Sequence, residues 1–259
     1  MSGEESIEVE VRRALVGEGR AARLAALAAR RELAGATWSG FELREQVDRY
    51  FDLPGGALSR GDRALRLRAL RGELLLTCKG PARVFDGSVV ARVEVELPWS
   101  PEALELCLEH LARSGLDLAL PAGGVPDDPD AALAALGLRE VQRRATTRRA
   151  AHLERDGAAI GELVLDEVRY LAGNREVLHR EVELEARGAT GADELVRLVD
   201  ALGADDPGAW RAWPWSKTAL GAALEALEAE GELAALLAGD ELTVRGYDRV
   251  DAWLTAERA

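Results

Sequence analysis

Apolar and charged residues alternate along residues 7–12, I-E-V-E-V-R, with Ile7, Val9 and Val11 on one side and Glu8, Glu10 and Arg12 on the other. Successive side chains of a strand point to opposite faces, so this segment predicts a strand with one apolar face and one charged face. The same pattern returns in L-R-L-R (65–68), R-V-E-V-E (92–96) and E-V-E-L-E (181–185), and a basic residue closes L-T-C-K-G (76–80). Alternation alone describes any half-exposed antiparallel strand. Its recurrence with charges of both signs is the distinguishing feature.

The pattern predicts eight strands, over residues 7–12, 42–52, 64–70, 73–80, 88–97, 138–153, 159–171 and 176–187. Pro54-Gly55-Gly56, Arg71-Gly72, Asp156-Gly157 and Gly173-Asn174 are the turn signals between them. Helices are expected over 17–33, 98–114, 131–136 and 192–202, the second with Ser100 as N-cap ahead of Pro101. Residues 205–214 read as a loop carrying Trp210 and Trp213. A further amphipathic helix runs from Ser216 to Ala229, with one or two short helices after it. No repeat or low-complexity linker divides the chain, so one domain is expected over 1–225, followed by a helical tail over 226–259.

Composition narrows the chemistry. With 47% hydrophobic and 31% charged residues the chain reads as globular, and no apolar run approaches the length of a membrane helix. Two cysteines, Cys78 and Cys107, make no disulfide framework, and no signal segment precedes the first strand, so a cytoplasmic location is expected. A net charge of -13 argues against a general nucleic-acid binder but not against a small polyanion held by arginines converging on an interior site. His110, His152 and His179 lack zinc spacing, so any metal should be a hard cation held by carboxylates.

Two architectures suit eight hairpin-linked strands. An open sheet places the charges in water; a closed antiparallel barrel turns them inward and leaves its apolar outer face for helices 17–33, 98–114 and 192–202 to cover. The signs favour closure. Arg66, Arg68, Lys79, Arg92 and Arg143 are positive, whereas Glu8, Glu10, Glu181, Glu183 and Glu185 place carboxylates on the first and last strands. Crowded carboxylates repel by roughly a kcal/mol or more per close pair, a cost that a divalent cation removes.

These segments resemble the CYTH family, the triphosphate tunnel metalloenzymes, whose opening signature is E-x-E-x-K and appears here as Glu8-Val9-Glu10-Val11-Arg12. The resemblance continues through Q-V-D-R-Y-F-D (46–52), A-L-R-L-R (64–68), L-T-C-K-G-P (76–81), R-V-E-V-E (92–96), L-D-E-V (165–168), E-V-E-L-E (181–185) and Ser216-Lys217. It implies an α+β fold around an eight-stranded antiparallel closed β-barrel with a charged interior, binding a small-molecule triphosphate with Mg²⁺ or Mn²⁺. By position, Glu8, Glu10 and Arg12 form the catalytic strand. Glu8, Glu10, Glu183 and Glu185 resemble metal ligands, with Glu94, Asp166 and Glu181 as lesser candidates. Arg66, Arg68, Lys79, Arg92, Arg143 and Lys217 resemble phosphate contacts.

Arg12 departs from the signature, because a guanidinium cannot act as a neutral amine. In R-R-A-T-T-R-R (143–149), Arg143 and Arg148 have opposite parity, so a bulge must turn both inward or only one faces the interior. The leading expectation is hydrolysis of inorganic tripolyphosphate. Adenylate cyclase is the alternative, although the His-Phe pair of that branch is absent from residues 1–6. Thiamine triphosphate, with Trp38 stacking the organic group, and a non-catalytic polyphosphate- or nucleotide-binding module complete the set.

Overall fold

A computed structural model describes residues 6–85, 89–120, 123–186 and 192–258. Its eight long strands are β1 (Ser6–Leu15), β2 (Glu42–Asp52), β3 (Ala64–Leu70), β4 (Glu73–Lys79), β5 (Val89–Pro98), β6 (Arg139–Arg155), β7 (Ala158–Ala172) and β8 (Arg175–Ala186). Each matches an expected strand. They hydrogen-bond in the order β1-β5-β4-β3-β2-β6-β7-β8 within one sheet, and β8 pairs with β1, so the eight form a ring. Seven α-helices among the described residues complete an α+β fold: α1 (Arg20–Ala29), α2 (Ala57–Arg60), α3 (Pro101–Arg113), α4 (Pro129–Ala135), α5 (Ala192–Asp205), α6 (Lys217–Ala229) and α7 (Val244–Arg258).

The hairpins follow from backbone preference. Arg71 and Gly72 have φ of 54° and 83°, and Asp156 and Gly157 have 52° and 77°, the paired positive angles that let a two-residue turn match strand twist.

The helix expected over 17–33 stops at Ala29. Glu32–Leu33 and Ala36–Thr37 pair instead as a small hairpin across Ala34 and Gly35, whose φ values of 49° and 78° interrupt any helix. The segment expected to be a loop at 205–214 contains a short strand, Trp210–Ala212, which pairs with β1. The last tail helix, α7, is 15 residues long rather than short.

Two compact units divide the chain, one mainly from residues 46–83 and 91–144, the other mainly from 9–45 and 145–258. In the first, Phe51, Leu65, Leu67, Leu76, Cys78 and Val95 form one apolar face, packed with Leu104, Cys107, Leu108 and Leu111 of α3. Ser100 Oγ accepts from the Ala103 amide at 3.1 Å, and Pro101 occupies the first helical position. Ser100→Ala should cost about 1 kcal/mol and lower Tm by roughly 2–4 °C in a thermal melt. An unchanged Tm would mean the cap contributes nothing.

In the second unit, Val11, Leu163, Leu165, Val182 and Leu184 pack with Leu24 and Leu27 of α1 and with Leu195, Leu198 and Leu202 of α5. Trp38 lies in this core, 4% exposed, so it is a packing residue and not an open stacking platform. Leu220, Leu224 and Leu227 of α6 and Tyr247, Val250 and Leu254 of α7 share a second core with Val168, Tyr170 and Val177. Each fully buried leucine contributes about 1.5–3 kcal/mol, enough to keep the tail docked. The boundary expected after residue 225 falls inside α6, with Leu224 and Leu227 on either side of it in the same core.

Candidate active site

Strand register gathers the acidic residues. Glu10 lies opposite Glu185, Arg12 opposite Glu183 and Ala14 opposite Glu181; on the other side of β8, Asp166 faces Glu181. Because Val11, Val182, Leu184 and Leu165 turn to the core, the period of two sends Glu10, Arg12, Glu181, Glu183, Glu185 and Asp166 to the opposite face. Gly161 permits part of this approach: a Cβ there would meet the Glu185 carbonyl oxygen at 2.3 Å.

Two carboxylate groups result, Glu10–Glu183–Glu185 and Asp166–Glu181–Glu183, each with one oxygen per residue and all within 4.8 Å of one another. Glu183 belongs to both. Every donor is a hard carboxylate oxygen, the chemistry that suits Mg²⁺ or Mn²⁺ and not a soft metal.

Three cations interleave with the acids. Arg12 bonds Glu10, approaches Glu183 Oε1 with its Nε at 3.2 Å and donates to the Trp215 carbonyl at 2.9 Å. Arg148 forks onto Asp166 at 2.9 and 2.7 Å and reaches Glu183 at 2.7 Å. Lys217 Nζ contacts Glu183 at 2.6 Å, Asp166 at 3.0 Å and also Glu181.

Burial alone raises a carboxyl pKa, yet Lys217, Arg148 and Arg12 hold Glu183 well below the usual range. Burial works to lower the pKa of Lys217, but Glu181, Glu183 and Asp166 overcome it and keep the ammonium charged. Behind Glu181 stands fully buried His179, its Nε2 3.1 Å from Glu181 Oε2 and its Nδ1 2.9 Å from the Tyr247 hydroxyl on α7.

The first unit holds a basic group. Asp48 opposes Arg68, Tyr50 opposes Arg66, and Arg66 opposes Thr77, all on the face away from α3. Arg68 forks onto Asp48 at 2.7 and 3.2 Å; Arg66 donates to Thr77 at 2.9 Å and Glu96 at 2.8 Å; Lys79 pairs with Glu94 at 2.7 Å. Arg144 lies over the Tyr50 ring, 4.1 Å from its centroid, and bonds the Tyr50 hydroxyl. Burial pushes the Asp48 carboxyl up, but Arg66, Arg68 and Arg144 bring it below the usual range.

Glu10, Arg12, Asp166, Glu181, Glu183, Glu185 and Lys217 therefore come together in the second unit, and Arg66, Arg68, Lys79 and Glu94 in the first. Among the described residues, Glu94 joins neither three-carboxylate group. Arg92 is buried on β5. The Glu8 side chain lies outside the described residues.

Arg143 is not brought to the basic group. Its side chain is 56% exposed and held by Glu140, while Arg144 and Arg148, of the other parity, are buried or nearly so. The buried Gln142 and Thr146 share that parity and mark the buried face of β6. Asp48 and Tyr50 fall within the Q-V-D-R-Y-F-D motif and His179 one alternation before E-V-E-L-E, but none of the three was singled out as a site residue.

The CYTH domain profile matches residues 6–208. Among solved structures, the candidate adenylyl cyclase HpAC1 from Hippeastrum, described as having a dominant triphosphatase activity, is 19% identical with a TM-score of 0.56, over 83% of this chain and 95% of its own. The PH1819 protein from Pyrococcus horikoshii OT3 is 22% identical with a TM-score of 0.48, over 85% and 99%. The Mimivirus capping enzyme triphosphatase is 10% identical with a TM-score of 0.39, over 76% and 90%. No curated protein matches the chain. With the profile spanning most of the sequence, this chain belongs to the CYTH domain family.

Proposed function

We propose that this protein is a metal-dependent triphosphatase that splits inorganic tripolyphosphate into pyrophosphate and phosphate, its eight-strand ring forming a closed tunnel with the charged faces inward. The observation that carries the reading is the Glu183 cluster: two three-carboxylate groups sharing one residue, threaded by Arg12, Arg148 and Lys217. A site for phosphate capture alone has no use for so many buried acids, which repel the anion unless a cation intervenes.

A bound Mg²⁺ or Mn²⁺ supplies charge neutralisation at the phosphate oxygens and activation of water. Glu10, Glu183 and Glu185 would hold it. Arg148 and Lys217 serve as phosphate contacts that a substrate draws away from their present carboxylate partners, and guanidinium forks match phosphate oxygens in pairs. Arg66, Arg68, Lys79 and Arg92, with Arg144 in the place expected for Arg143, bind the remaining phosphate charge. Arg12 stays protonated, so it orients Glu10 and Glu183 and abstracts no proton. The free, buried Cys78 and Cys107 suit a reducing cytoplasm.

A substrate panel with Mg²⁺, Mn²⁺ or chelator tests the assignment. Tripolyphosphate should give a higher kcat/KM than ATP or thiamine triphosphate, and ATP should yield ADP and phosphate. Cyclic AMP with stoichiometric pyrophosphate as the main ATP product would replace hydrolysis with cyclisation. Binding without turnover of any triphosphate would leave a sensor module.

A further inference from the structure

The tail helix α7 reaches the acid cluster through one line of hydrogen bonds. We propose that Tyr247 of α7 is a positioning residue: through His179 it fixes the orientation of Glu181, and through Glu181 that of Lys217. α7 lies after the last of the family's segments, Ser216-Lys217, so the inference adds an element to the site. It rests on the triphosphatase reading above, in which Lys217 contacts phosphate.

The line has a direction. A carboxylate only accepts, so His179 Nε2 donates to Glu181 Oε2 at 3.1 Å. Arg20, the first residue of α1, hydrogen-bonds the Tyr247 hydroxyl, and a guanidinium only donates. The Tyr247 O–H is thereby left to donate to His179 Nδ1, 2.9 Å away. Glu181 is held from behind through Oε2, while its other oxygen, Oε1, meets Lys217 Nζ. One oxygen for each neighbour leaves the carboxylate a single orientation. Without the imidazole it would turn with the ammonium when a substrate draws Lys217 away.

Packing holds every link in place. His179, Glu181 and Tyr247 are fully buried. The His179 ring lies 5.7 Å from Trp213 and 5.8 Å from Tyr247, and those two meet edge to face at 5.4 Å, so the imidazole cannot flip without displacing both. The first turn of α7 sets the reach of Tyr247: Thr243 Oγ1 accepts from the Gly246 amide at 3.0 Å, and the Thr243 amide donates to the Leu236 carbonyl at 2.9 Å. Gly246 allows the close approach, because a Cβ there would meet the Leu236 carbonyl oxygen at 2.6 Å. The core around Tyr247 includes Leu220, Leu224, Val250 and Leu254, which a phenylalanine ring would pack equally well. The hydroxyl serves the line to Glu181.

A double-mutant cycle on the full chain tests this, read by phosphate release and by calorimetric binding of tripolyphosphate, both with Mg²⁺. Tyr247→Phe should lower kcat/KM per folded molecule roughly tenfold, chiefly through KM, and weaken binding in step. When Glu181 is already Met, which cannot accept from His179, the same change should alter either quantity by no more than about twofold. Val250→Ala, a control on the same helix, should lower Tm and leave kcat/KM unchanged. Equal losses in both backgrounds, or a lowered Tm alone in Tyr247→Phe, would overturn the inference and leave the triphosphatase reading standing. A wild type that binds tripolyphosphate without hydrolysing it would overturn that reading, and the binding arm would still decide the inference. A wild type that neither binds nor hydrolyses it would overturn both. If Tyr247→Phe does not fold, His179→Gln runs the same cycle with the same outcomes.

Discussion

Glu183→Gln is expected to lower metal-dependent phosphate release by roughly three orders of magnitude. Glu183 is the one acid common to both carboxylate groups and the common partner of Arg12, Arg148 and Lys217. Its amide replacement keeps the shape but loses the charge that binds the ion, and a bound ion supplies several kcal/mol of transition-state stabilisation, at 1.36 kcal/mol per tenfold in rate. The same change removes a counter-charge shared by Arg12, Arg148 and Lys217, so Tm should fall as well. Phosphate release measured per folded molecule separates the two effects. A folded variant within tenfold of wild type would remove Glu183 from the chemistry.

Asp48→Asn should have the largest effect on stability. The carboxylate is 1% exposed and faces Arg66, Arg68 and Arg144; breaking such a buried arrangement from one side costs about 3–5 kcal/mol, on the order of 10 °C in Tm. Glu140→Gln, which loses exposed pairs with Arg49 and Arg143, should stay within about 1 kcal/mol of wild type.

Acid should act through the same groups. Asp48 and Glu183 are depressed in the folded chain, so the stability they add is fully present above their unfolded pKa, near 4, and is lost as pH falls through their folded values. The unfolding free energy should be flat from about pH 7 to 5 and fall below about pH 4, less steeply in Asp48→Asn. Stability that rises on acidification from pH 5 to 3 would contradict this. So would an Asp48→Asn variant as stable as wild type at pH 7.

Strands were the legible part of the sequence because two-residue periodicity writes both faces at once: E-V-E-L-E announces three acids on one face and two core residues on the other without reference to any partner. The short hairpin after α1 was hidden, since Ala, Leu, Arg and Glu favour helix while the turn depends on two positive φ angles at Ala34 and Gly35. The choice between Arg143 and Arg148 stayed open for a related reason. In a run of four arginines and two threonines neither face is apolar, and only the pairing of β6 separates exposed Arg143 from buried Arg144. Lys217 was visible as a motif, but its three carboxylate partners lie 34 or more residues away in sequence, and their number depends on register. His179 and Tyr247 are likewise joined only by the docking of α7.

The most direct measurement is a ³¹P nuclear magnetic resonance time course of tripolyphosphate with the purified chain and Mg²⁺, followed by addition of chelator. Pyrophosphate and phosphate signals should grow in equal molar amounts and stop when the metal is removed. A tripolyphosphate spectrum that stays unchanged with Mg²⁺ or Mn²⁺ present, or hydrolysis that continues undiminished in chelator, would contradict the assignment.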